Sequence, residues 1–112
     1  MTAHVDTFVR DNLPPRAQWP ELIFSPDLQF PDRYNASDIL ENAVARGHGA
    51  RSAVLYPSEV LTYEALLREA CRIAHVLTRD FGLVPGNRVL IHASNTRLSL
   101  PVWWGVFRAG GV

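Results

Sequence analysis

"VPGNRVLIHASNTRLSLPVWWGVFRAGGV", Val84 to Val112, is the stretch on which the fold reading turns. Val84-Pro85-Gly86-Asn87 fits a type II turn. Proline is preset for its second position, and the third needs the positive φ that glycine adopts without strain. "RVLIHA" (88–93) follows with few polar interruptions, which predicts a strand buried on both faces. A helix is expected over roughly Thr96 to Ala109. Pro101 falls near its first turn, where proline is tolerated. Gly110-Gly111 supplies the stop, and Val112 reads as the first residue of a further strand.

Upstream stands the best-defined element. Thr62 is placed to cap a helix over about Tyr63 to Asp80. Leu66, Ala70, Ile73 and Leu77 recur at helical spacing, with Leu67 and Ala74 beside them. Glu64 and Arg68 stand four apart in the favourable order, and Gly82 ends the run. Before it, "SAVLY" (52–56) and "VLTY" (60–63) flank the turn residues Pro57-Ser58-Glu59, which predicts a small hairpin. An earlier helix is expected from Asp38, capped by Asn35 or Ser37, with Ile39, Leu40, Ala43 and Val44 as its apolar stripe and Gly47 and Gly49 as its stop. Helix, turn, strand, helix, strand is the order of an α/β fold, with helices packed on a mostly parallel sheet. Only one parallel strand is evident, so the sheet is expected to be incomplete and the chain to be cut where the next strand begins.

Residues 1–35 differ in character. Pro14, Pro15, Pro20, Pro26 and Pro31 interrupt any long helix. Phe8, Trp19, Phe24, Phe30 and Tyr34 recur between them. The expectation is an extended arm that packs its aromatics onto a body formed by residues 36–112.

Composition excludes several classes. With 112 residues the chain suffices for one domain, and 47% hydrophobic against 20% charged residues is a globular balance. The 11 basic and 11 acidic residues cancel, which disfavours general nucleic-acid binding. All the basic residues are arginine; there is no lysine. The single cysteine, Cys71, rules out an internal disulfide. The first residues lack a secretory pattern and no apolar run is long enough for a membrane helix, so the expected compartment is the cytoplasm. There the acceptor-like Asn35-Ala36-Ser37 would meet no glycosylating enzyme.

Thr62-Tyr63 before a long helix, Gly82 to Val89 as a turn into a strand, and a helix closing on Ala109 to Val112 resemble, in that order and at those distances, the adenylate-forming superfamily that includes the acyl-CoA synthetases. "FPDRYNASDILENAVARGHG" (30–49) looks like its benzoate–CoA and 2-aminobenzoate–CoA ligase branch, and "DTFVRDNLPPRAQWPEL" (6–22) looks closer to the 2-aminobenzoate side. The resemblance covers nearly the whole chain but only the N-terminal part of the large domain of such an enzyme. It implies a two-step reaction: a carboxylic acid and ATP give an acyl-adenylate, and coenzyme A then takes the acyl group as a thioester. ATP, Mg²⁺ and coenzyme A are therefore implied for a full-length member. The family's phosphate loop, rich in Ser, Thr and Gly and ending Pro-Lys-Gly, has no counterpart here, and its catalytic lysine can be none of these residues. No catalytic, cofactor-binding or metal-binding residue is carried over, and the chain alone is expected to be inactive.

Other features have a sharp and a plain reading. Trp103, Trp104, Val106 and Phe107 either line an aromatic-acid pocket or bury a helix in its layer; the second is the expectation. Arg68, Arg72, His75 and Arg79 form a stripe that suits a phosphate or, as expected, solvent. Cys71 and His75 are two ligands short of a metal site. Asp80-Phe81-Gly82 matches a protein-kinase tripeptide without the kinase's other parts. Ser94-Asn95-Thr96 suits an anion or, as expected, caps the following helix. Two alternatives stay open: a complete non-catalytic module that binds a partner, and a fragment of another adenylate-forming branch.

Overall fold

The computed structural model describes residues 3–29 and 31–112. Its elements in chain order are a single helical turn α1 (Phe8–Asp11), helix α2 (Asp38–Ala43), strands β1 (Ser52–Leu55) and β2 (Val60–Thr62), and helices α3 (Tyr63–Arg79) and α4 (Ser99–Arg108). A 3₁₀ turn (Arg16–Gln18) lies in the arm, and a wide π-type turn (Val44–His48) ends α2, with Gly47 at φ +83°.

The core forms where α3 meets α4. Thr62 Oγ1 accepts the Ala65 N–H at 3.2 Å, so α3 starts where the sequence places its cap. Leu66, Ala70 and Ala74 are buried on one face, as the spacing predicts. Pro101, Gly105 and Val106 of α4 are buried in turn. Gly105 sits so close to α3 that an added Cβ would stand 2.6 Å from the Ile73 side chain and 3.1 Å from the Ala70 carbonyl oxygen. Leu40 of α2, Leu61 of β2 and Ala109 complete the core. Each fully buried leucine contributes about 1.5–3 kcal/mol of apolar burial. The hairpin is present: β1 and β2 run antiparallel with a register irregularity between Ser52 and Val54, and the Tyr56 N–H donates to the Glu59 carbonyl at 2.9 Å. The type II turn is formed too, with Gly86 at φ +96° and the Asn87 N–H donating to the Val84 carbonyl at 3.0 Å.

Three expectations are corrected. Residues 88–93 are not assigned as a strand, and they are not buried on both faces: Leu90 is 92% exposed. The one sheet assigned among the described residues is the antiparallel β1–β2 pair. Val112 exchanges two backbone bonds with the residues flanking Arg88, the pattern of a single parallel bridge. Its N–H donates to the Asn87 carbonyl and its carbonyl accepts the Val89 N–H, both at 2.8 Å. Burial of "RVLIHA" needs cover on both sides; here Val89 is half-buried beside Gly111 and the others are exposed. Second, the arm does not pack its aromatics away: Phe8, Trp19, Phe24 and Tyr34 stay about half exposed, while Phe30 lies outside the described residues. The Trp19 indole N–H donates to the nearby Pro14 carbonyl at 2.8 Å, so its polar end is satisfied within the arm. The radius of gyration, 16.1 Å, exceeds the ~13 Å of a compact domain of ~100 residues, as an outlying arm requires.

Of the two residues offered as caps to α2, Ser37 is buried and makes no side-chain cap, and Asn35 takes the role. Asn35 organises the entry to α2 by accepting the Ser37 N–H on Oδ1 at 2.9 Å, and its Nδ2 donates to the Phe107 carbonyl at 2.8 Å. Third, α4 begins at Ser99, so Ser94, Asn95 and Thr96 do not cap it. The Ser99 hydroxyl instead ties the preceding loop: it accepts the Thr96 N–H at 2.8 Å and donates to the Ser94 carbonyl at 3.0 Å.

Candidate functional site

Two hollows flank α4. The first, about 660 Å³, lies where the hairpin faces the 91–100 stretch. Tyr56 and Pro57 form one wall, Ile91 and Ala93 another, and Leu100 and Trp103 a third. β1 delivers Tyr56 to this place because the hairpin turns directly after Leu55. The Tyr56 hydroxyl donates to the Arg97 carbonyl at 3.0 Å, and Arg97 Nε lies 3.0 Å from the Glu59 carboxylate. These two contacts pin the 94–98 loop to the hairpin. The hydrogen bond and charge of Glu59 raise the affinity of the Arg97 guanidinium for its proton, so it is a fixed cation already matched by an anion. The walls are mostly apolar.

The second hollow, about 850 Å³, lies between the arm and the end of α4. His4 stands on one side, Arg33 and Asn35 on the other, and Pro85 and the 107–111 backbone form the floor. Arg108 is paired with Glu41 across its edge.

The residues singled out in the sequence are spread between these places. Trp103 lines the first hollow and is 46% exposed, whereas Val106 is buried in the core. Trp103, Trp104 and Phe107 meet edge to face, with centroids 4.4–6.3 Å apart. The helix is thus buried on its Val106 side and open on its Trp103 side. Arg68, Arg72, His75 and Arg79 lie on an exposed face of α3, where Arg72 pairs with Glu69 at 3.2 Å. Cys71 is a half-buried free thiol. Sequence reasoning did not find the Tyr56–Arg97–Glu59 linkage, whose members lie 38 and 41 residues apart and share no periodic signal.

The first hollow offers mostly apolar walls. Among the described residues no three His, Cys, Asp or Glu gather as metal ligands. The Thr96 N–H beside the first hollow is taken by Ser99, and Arg97 and Arg108 carry carboxylate partners, while Arg33 lines the second hollow. No helix among the described residues is long and apolar enough to cross a membrane. A family model described as AMP-binding enzyme matches residues 40–112, well over half of the chain. No curated protein and no solved structure matches it.

Proposed function

The chain belongs to the AMP-binding enzyme family, and from that membership we propose that it is the opening part of a cytoplasmic, ATP-dependent acid–CoA ligase acting on an aromatic acid such as benzoate or 2-aminobenzoate. The observation that carries the ligase class is the match over residues 40–112, which takes in the hairpin, α3, the type II turn and α4. The aromatic branch rests on the arm sequence, "FPDRYNA" above all. In this reading residues 1–112 are scaffold. They build the first layers of the large domain, while the groups that hold ATP, Mg²⁺ and coenzyme A belong to other segments of the polypeptide. The absence of any lysine from these residues supports that division.

The test has two parts. An antibody to residues 1–35 should detect, in the source cells, a protein several times heavier than 12.5 kDa. That protein should show ATP–pyrophosphate exchange with benzoate or 2-aminobenzoate and form the corresponding thioester with coenzyme A. Residues 1–112 alone should show no exchange. A native species of 12.5 kDa would replace the ligase reading with that of a binding module. Exchange with fatty acids and not with aromatic acids would move the protein to another branch of the family.

A further inference from the structure

The arm stands on two feet, and both stand on one junction. At the first foot, the N–H groups of Val5 and Asp6 both donate to the Pro85 carbonyl, at 2.8 and 3.0 Å. The Asp6 carboxylate accepts from Asn87 Nδ2 at 2.8 Å and lies 3.8 Å from Arg88 Nη2. The Arg88 guanidinium in turn lies 3.8 Å over the Phe8 ring. At the second foot, Asn35 Nδ2 holds the Phe107 carbonyl. The floor joins the two landing points: the Gly86 N–H donates to the Gly110 carbonyl, and the Asn87 carbonyl accepts from Val112, each at 2.8 Å. The 850 Å³ hollow lies between the feet, with His4 from the first and Arg33 and Asn35 from the second on its walls. Between the feet, residues 10–29 are exposed, and the hydrogen bonds of Asn12, Trp19 and Leu28 reach no further than five residues along the chain.

We propose that residues 5–8 are a releasable clasp, so that the arm is a strap that opens at its first foot, uncovering the hollow, while Asn35 stays fixed. The two feet differ in how they are made. Asn35 leads directly into the buried Ser37 and Leu40 and is part of the core's edge. The first foot consists of surface side chains: Val5 is 70% and Phe8 52% exposed, and its two backbone bonds share one acceptor. Segments with few buried contacts and exposed hydrogen bonds open at lower free energy than the core. Asp6 is the knot, since Phe8, Asn87 and Arg88 all meet its carboxylate. Gly86 gives it room, because a Cβ there would collide with the Asp6 carbonyl oxygen and come within 2.9 Å of His4.

Amide hydrogen exchange on the native polypeptide tests this, comparing the wild type with Asp6→Ala and, from the other side, Asn87→Ala. In the wild type, Val5 and Asp6 should exchange faster than Leu40 and the amides of α3. Either substitution should speed exchange at Val5, Asp6 and Phe8 by on the order of tenfold, the effect of losing a charge-assisted hydrogen bond, and leave Leu40 and α3 unchanged. Equal protection of the first foot and Leu40 in the wild type would overturn the proposal. So would unchanged exchange at Val5 and Asp6 in both variants, or a loss of protection that spreads in step through Leu40 and α3. If Asp6→Ala fails to fold, the wild-type ranking and Asn87→Ala still decide.

Discussion

Gly105 and Asp6 carry opposite kinds of constraint. Gly105 is needed for its lack of a side chain, because α3 and α4 approach until only hydrogen fits between Ile73 and the α4 backbone. Gly105→Ala should raise helix propensity yet lower stability by about 1–3 kcal/mol, since the new methyl must push Ile73 or the Ala70 carbonyl aside. Urea denaturation of the native polypeptide reads the difference, and an unchanged midpoint would show that the helices part easily. Asp6 is needed for its charge. Its carboxyl is held below the ordinary value of 3.8, first by the Phe8 N–H and then by the Asn87 amide, with the positive charges of Arg88 and His4 adding to the effect and burial opposing it. Asp11, the nearest carboxylate on α1, is itself held low by the Thr7 hydroxyl. Because the folded Asp6 ionises below 3.8, its contribution is complete above that pH and fades as the pH falls through the lower, folded value. An NMR titration of the Asp6 carboxyl carbon should therefore find its midpoint under 3.8, and one above it would contradict the clasp geometry.

Helix α3 is the element most nearly written in the sequence. Its apolar residues recur with the period of a helix, and its cap lies one residue before the run. Thr62→Ala removes the acceptor of the Ala65 N–H and should cost about 1 kcal/mol, with Thr62→Ser recovering most of it; thermal unfolding of both variants checks this. Element α4 was legible in type but not in its start. The sequence offers three hydroxyl or amide residues as caps, Ser94 to Thr96, and the chain uses Ser99 from inside the helix to tie them back. Segment 88–93 misled for a different reason. Apolar composition reports that a stretch will be covered, not by what, and the cover for Leu90 is not found among these residues. Asn35 shows the converse: a residue read only as a local cap also reaches 72 residues along the chain to Phe107, which no local pattern encodes.

At the scale of the molecule, the family was legible because three short motifs stand in sequence at fixed distances, and each became a real turn, helix or loop. The two hollows were not legible, since each is walled by segments remote in the chain: the hairpin against residues 91–103, and the arm's feet against the 85 and 107–111 backbone. That remoteness also sets an order of events during synthesis. Asp6 and Asn87 are 81 residues apart. At about 5–20 residues per second the ribosome separates them by roughly 4–16 s. For that interval Val5, Asp6 and Phe8 emerge without the turn that later receives them, and it is then that a holding chaperone or a protease meets them first.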